Sequence, residues 1–268
     1  MSWVMDSINQ ALKRTCLKRF SGGTTNQKRD GFTLTELLVV IAIIAILFSL
    51  QWAGLAGAKS RTRVAQCAGN LKQFTMVVEL YGSDNNNKIP QNNYPNNNWV
   101  WDLYADAFDG LVKYGATRNM VYCPAAPEQN NDALWNYYGG NIHVIGYAVT
   151  FTGTASLFIT NMNASLTPLR LPFGPLLLPL GSPAKRVLLA DATISQPGQR
   201  NVTNRLANTY TGINGAGIVV HHTSHLDGAL PTGGNLGMLD GHVEWRKFND
   251  MVPRTNTNAP GFDPVFWW

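Results

Sequence analysis

The apolar run that begins at Phe32 constrains this chain more than any other stretch. From Phe32 to Leu50 there are 19 nearly apolar residues, close to the roughly 20 a helix needs to cross a bilayer core. Lys28-Arg29-Asp30-Gly31 stands immediately before it, and the run holds one charge, Glu36. A carboxylate at the bilayer centre costs up to roughly 2.5–3.5 kcal/mol, and less near an edge, so Glu36 calls for a partner. The run also exceeds the h-region of about 7–15 residues in a secretory signal. That weighs against cleavage at the A-x-A-like Ala56-Gly57-Ala58.

Basic residues, Gly31, Phe32, Thr33-Leu34-Thr35 and Glu36, in that order, resemble the N-terminal signal of bacterial type IV prepilins and type II secretion pseudopilins. The resemblance implies a membrane prepilin peptidase that cuts between Gly31 and Phe32 and methylates the new amine of Phe32. It implies that Glu36 then meets the terminal amine of a neighbouring pilin or pseudopilin subunit as a filament assembles. Residues 1–31 would be the cleaved leader. That segment holds six Lys and Arg residues against Asp6 and Asp30, and so carries most of the formal charge of +5. Positive residues stay cytoplasmic. The expected topology is a single pass through the inner membrane, with the N-terminus cytoplasmic and the head periplasmic, then on a filament or the cell surface. The near-neutral remainder has no basic stripe and points to no nucleic-acid partner.

The helix is expected to continue past the apolar run. Val64, Cys67, Leu71, Phe74, Val78 and Tyr81 recur at intervals of three and four, one apolar face of an amphipathic helix that packs on a head. Gly82-Ser83-Asp84-Asn85-Asn86-Asn87 ends it with turn chemistry. The Asn- and Pro-rich stretch Lys88–Asn98 reads as an exposed loop. Beyond it, Trp99 to Lys113 reads as an apolar segment with a short helix, and Val121-Tyr122-Cys123-Pro124 as extended chain. Strands are expected over His143–Phe151, which alternates with period two, Arg186–Asp191 and Gly217–His221. A hairpin is expected over Asn235–Phe248, with Asp240-Gly241 as a type I′ turn. Leu166–Pro183 reads as an irregular packed loop. The fold class is therefore α+β, pilin-like: a long N-terminal helix, transmembrane then amphipathic, on a small antiparallel sheet. The expected division is leader 1–31, transmembrane or filament-core helix 32–58, amphipathic continuation 59–82 and β-rich head 83–268.

Cys16 falls in the leader, which leaves Cys67 and Cys123. In an oxidising compartment they form a disulfide or stand as two buried thiols. The C-terminal piece with His225, Asp240 and Gly241 resembles the H-X9-DG domain of pseudopilin-like proteins. Gln66–Gln73, Cys123-Pro124 and Leu188-Leu189-Ala190-Asp191 are similar to other landmarks of those proteins. Fourteen residues, rather than nine, separate His225 from Asp240.

His221, His222, His225 and His242 lie within 22 residues, beside Asp227, Asp240 and Glu244. Imidazoles and carboxylates suit zinc, and the resemblance to major pseudopilins would allow a calcium ion with Asp227 and Asp240 as oxygen donors. No HExxH and no metal-ligand spacing supports either, so the preferred reading is a loop and hairpin held by polar contacts, with no resident cofactor. With no GxSxG elbow, Walker loop or GxGxxG, no catalytic residue is assigned. The expected role is structural, not enzymatic. The alternatives are a pilin-anchored glycan-binding module, with Trp99, Trp101, Trp135, Trp245, Trp267 and Trp268 as its stacking surface, and a metal-dependent enzyme at the same location.

Overall fold

Helix α1, Leu34–Asp84, dominates the computed structural model. The structure describes residues 32–95, 99–167, 171–173, 176–178, 181–215, 219–255 and 263–268, the side chains at 50–56, 171–173, 176–178, 214–215 and 219 excepted. The expected leader 1–31, Gly31 included, lies outside these residues. The chain divides into two compact units, Met1–Ala53 and Gly54–Trp268.

In the first unit α1 starts from Thr33. The Thr33 N–H and hydroxyl donate to Glu36 Oε2 at 2.9 and 2.8 Å, and the Glu36 N–H donates to Thr33 Oγ1 at 3.3 Å. This reciprocal arrangement is a capping box, which satisfies orphan donors of the first turn and places a carboxylate at the positive end of the helix. From there the apolar side chains face outward all round the helix: Leu37, Leu38, Val39, Val40 and Ile41 are consecutive and each at least 44 % exposed. A stripe would bury one face in a head; this surface has no polar side to leave in water. Among the described residues, no helix is long and apolar enough to cross a membrane; the described side chains of the run end at Ser49.

In the second unit the predicted apolar face of α1 is the packed face. Cys67, Leu71, Phe74 and Val78 are fully buried, with Val77 beside them, while Val64 and Tyr81 are half-buried. The helix ends where Asn86 and Asn87 take φ of 56° and 60°, the left-handed region that asparagine tolerates better than most residues.

The face packs with a four-stranded antiparallel sheet ordered β13-β12-β6-β3. Its strands are β3 (Tyr147–Val149), β6 (Val187–Asp191), β12 (Gly233–Met238) and β13 (Val243–Lys247). Tyr147 pairs with Asp191, Leu236 with Ala190, and Gly237 with both Leu189 and Val243. Helix and sheet meet closely at Gly237: a Cβ there would lie 2.4 Å from Thr75 Oγ1.

Two-stranded ribbons surround this sheet. β1 (Asp102–Tyr104) pairs with β2 (Ile142–Val144), and β7 (Ile194–Ser195) with β14 (Val265–Phe266). β8 (Ile213–Gly215) pairs with β9 (Val219–His221), and β10 (Leu226–Asp227) with β11 (Leu230–Pro231). Two short helices, α2 (Ala105–Val112) and α3 (Asp132–Trp135), lie between β1 and β2 in chain order. The protein is thus a mixed α and antiparallel β chain with an N-terminal helix.

Four local expectations are corrected. The alternating stretch His143–Phe151 is two strands in two sheets, because the chain bends at Gly146, whose missing side chain lets the Cys123 backbone approach; both strands are buried on both faces. Leu166–Pro183 holds an antiparallel ribbon, β4 (Leu171–Phe173) with β5 (Leu176–Leu178), where Pro172 sits on an isolated two-stranded pair that tolerates a missing donor. Ile89 and Asn92 of the expected exposed loop are buried, Asn92 through bonds to the Asp102 carbonyl and the Tyr104 N–H. The β12–β13 turn is not type I′: the Gly241 N–H donates to the Met238 carbonyl at 2.9 Å, and of Leu239, Asp240 and Gly241 only Gly241 has positive φ, 84°. That is a three-residue loop with its left-handed residue last.

Candidate functional site

Four side chains far apart in sequence converge inside the Gly54–Trp268 unit. Cys67 comes from the packed face of α1. Cys123 follows a 3-10 turn, Arg118–Val121, in chain that Tyr122 extends. Asp191 closes β6, and His225 directly precedes β10. One donor atom from each lies within 4.8 Å of every other, and all four residues are buried.

The individual contacts define the centre. Cys67 Sγ lies 2.8 Å from Asp191 Oδ1, His225 Nε2 lies 3.0 Å from Asp191 Oδ2, and Cys123 Sγ lies 3.5 Å from His225 Nε2. Both cysteines are free thiols. Tyr147 Oη lies 3.4 Å from Cys67 Sγ. Asn235 clamps the carboxylate, donating from its backbone N–H at 2.6 Å and its amide at 3.0 Å to Asp191 Oδ2. The carbonyl of His225 accepts from the N–H and hydroxyl of Thr232 at 2.8 and 3.0 Å, and its ring meets Trp245 edge-on at 5.3 Å. Two glycines make room: a Cβ on Gly146 would lie 2.8 Å from the Cys123 nitrogen, and one on Gly234 would lie 3.0 Å from Asp191 Cβ.

The electrostatics follow from this packing. Burial pushes the Cys67 thiol well above its ordinary value, and the neighbouring Cys123 and the Asp191 charge push the same way. Burial also works against the Cys123 thiolate, but hydrogen bonds from Cys67 and His225 bring that thiol down to about 7. For His225 burial favours the neutral ring; the bonds to Asp191 and Cys123 outweigh it and raise the imidazole to about 10.

This geometry does not build a nucleophilic triad. A triad uses one imidazole nitrogen for the nucleophile and the other for the carboxylate. Here the same nitrogen, Nε2, faces both Cys123 and Asp191, and none of the four side chains opens to solvent.

The histidines do not gather. His222 pairs with Glu128 at 2.7 Å. His221 is buried against the Trp101 ring at 4.6 Å, and burial lowers it to about 4. His242 pairs with Asp240 at 2.6 Å on the exposed hairpin turn. His225 alone of the four belongs to the convergent centre, with partners Cys67, Cys123 and Asp191 that lay outside the histidine-rich segment. Nothing in the spacing announces Asp191, since a chain-closing contact between β6 and β10 has no sequence period. Thr33 was legible but unread: Thr33-Leu34-Thr35-Glu36 has the S/T-x-x-E spacing of a capping box.

Four of the six tryptophans considered as a stacking surface serve the core. Trp99, Trp101, Trp267 and Trp268 are buried. Trp135 is half-buried and stacks on His143 at 3.9 Å, which leaves Trp245, 38 % exposed, as the open one among the six.

The model of the prokaryotic N-terminal methylation motif matches residues 26–50. No curated protein and no solved structure matches the chain. The matched segment spans Lys28 and Arg29, Gly31, Phe32, the capping box and the apolar run. It is a prepilin-type signal and marks a type IV pilin-like precursor.

Proposed function

We propose that this chain is a structural subunit of a type IV pilus-like or type II secretion pseudopilus filament. A prepilin peptidase cuts between Gly31 and Phe32 and methylates the Phe32 amine. The apolar helix then holds the subunit in the inner membrane, N-terminus cytoplasmic and head periplasmic, and assembly joins it to other pilin or pseudopilin subunits through that helix and Glu36. The observation that carries this reading is the surface of α1 from Leu37 to Phe48: apolar on all sides, exposed along its length and preceded by Glu36 inside the matched motif. Such a surface needs lipid or neighbouring helices around it. The amphipathic half of α1 on an antiparallel sheet supports a pilin-like head, and the C-terminal hairpin with Asp240-Gly241 supports an H-X9-DG-type end.

Intact-mass analysis of protein extracted from membranes tests the processing step. The expected chain starts at Phe32 and is heavier by one methyl group, and Gly31→Leu leaves the precursor uncut. A chain that starts at Lys59 would overturn the reading.

A further inference from the structure

We propose that Cys67, Cys123, Asp191 and His225 bind one zinc-class divalent cation that clamps helix α1 to the sheet of the head. Two sulfurs, one imidazole nitrogen and one carboxylate oxygen are four donors of the types zinc takes, in the number a closed structural site holds. Thiolates and imidazole select zinc-class ions over calcium or magnesium, which want six or more oxygens. This site is independent of the filament role and of His221, His222 and His242.

The spacing fits. With Zn–S near 2.3 Å and Zn–N near 2.0–2.1 Å, a tetrahedral S···N edge is about 3.6 Å and an N···O edge about 3.3 Å. Cys123 Sγ–His225 Nε2 is 3.5 Å and His225 Nε2–Asp191 Oδ2 is 3.0 Å. Cys67 Sγ–Asp191 Oδ1, at 2.8 Å, is tighter than the S···O edge of about 3.5 Å, and binding would open it.

The surroundings are built to hold the donors. Asn235 fixes the carboxylate with two N–H groups, Thr232 fixes the His225 backbone, and Gly146 and Gly234 let Cys123 and Asp191 come close. Outer contacts of this kind orient ligands and are half of a metal site's design. Binding takes both sulfurs as thiolates and the imidazole as neutral, so the protons they carry leave to solvent. The ligands come from a helix, a loop after a 3-10 turn, a strand end and a ribbon start, so one ion joins four elements that share no local sequence motif.

The test uses the untagged full-length chain, extracted in detergent without chelator. Elemental analysis should find about one zinc per chain. Cys67 and Cys123, followed by peptide mapping, should resist alkylation in the native protein and label once it is denatured with a chelator. Cys123→Ser and His225→Gln should each lose the zinc. Because either variant can fail to fold, exchange of wild-type protein with cobalt(II) provides a second readout: intense visible bands of tetrahedral, thiolate-bound cobalt are expected. The proposal falls if the wild-type chain holds no zinc and both thiols label on denaturation alone. It also falls if peptide mapping finds a Cys67–Cys123 disulfide, lighter by two hydrogens, or if both variants keep their zinc.

Discussion

Lys72, on the exposed side of α1, donates through Nζ to the backbone carbonyl of Gly241 at 2.6 Å. This bond joins the long helix to the turn of the β12–β13 hairpin across 169 residues of sequence. Glu79, two helical turns further on, lies against the same glycine: a Cβ on Gly241 would sit 2.4 Å from Glu79 Oε1. The hairpin turn and the helix are therefore fitted to each other at a residue that needs both a left-handed φ and no side chain.

Gly237→Ala should destabilise the protein by about 1–3 kcal/mol, because its methyl would overlap Thr75 Oγ1 in a packed interface. Differential scanning calorimetry of the extracted chain reads this as a lower Tm. Adding Thr75→Ala should recover part of the loss. An unchanged Tm for Gly237→Ala would show that helix and sheet separate freely there.

Glu36→Ala should abolish incorporation into filaments while the stability of the head stays within about 0.5 kcal/mol of wild type, since Glu36 lies in the other compact unit and outside the head's core. Glu36→Gln keeps an oxygen for the Thr33 bonds but removes the charge. If assembly needs the charge, Gln should fail like Ala; if it needs only the capped helix start, Gln should assemble. Electron microscopy of sheared filaments distinguishes these outcomes, and normal filaments from Glu36→Ala cells would end the assembly role.

The His222–Glu128 pair should make stability depend on pH. The Glu128 hydrogen bond raises His222 above its ordinary 6.5, against burial. Burial alone would raise Glu128, but its bond to His222, a backbone hydrogen bond and the His222 charge leave it below 4.5. A raised histidine stabilises fully below its unfolded value and loses this as pH rises through its folded value; a lowered carboxylate does so above its unfolded value and loses it as pH falls. The pair is thus whole between about 4.5 and 6.5. Each side chain is 34 % exposed, so solvent screening keeps its worth within about 1 kcal/mol. Glu128→Gln should flatten the decline of Tm above pH 6.5, and an unaltered slope would assign that decline elsewhere.

Trp267→Ala should cost about 3–5 kcal/mol. The ring is fully buried, its N–H donates to Ser195 Oγ at 2.8 Å, and Arg205 lies 5.3 Å over it. Chemical denaturation measures the loss; a variant as stable as wild type would mean that this end of the chain lies outside the core.

Local physics was legible in the sequence by itself. The apolar run, Glu36 and the glycine before Phe32 depend on order along the chain, and they carried the prepilin-type signal without any structure. The period of Cys67, Leu71, Phe74 and Val78 named the packed face of α1, because a helix converts sequence spacing directly into a face. The same holds for the β12–β13 hairpin, whose two arms are neighbours in sequence. Tertiary structure alone decided the rest. Period two in His143–Phe151 did not mean one solvated face, because both faces of β2 and β3 are covered by other elements. Closeness along the chain did not gather the histidines, because His222, His221 and His225 found partners in distant parts of the chain, Glu128, Trp101 and Asp191, and His242 paired with Asp240 within its own turn. The centre of Cys67, Cys123, Asp191 and His225 could emerge only when α1, the Cys123 loop, β6 and the chain before β10 were packed together, since donors separated by tens of residues share no spacing until the fold closes the distance.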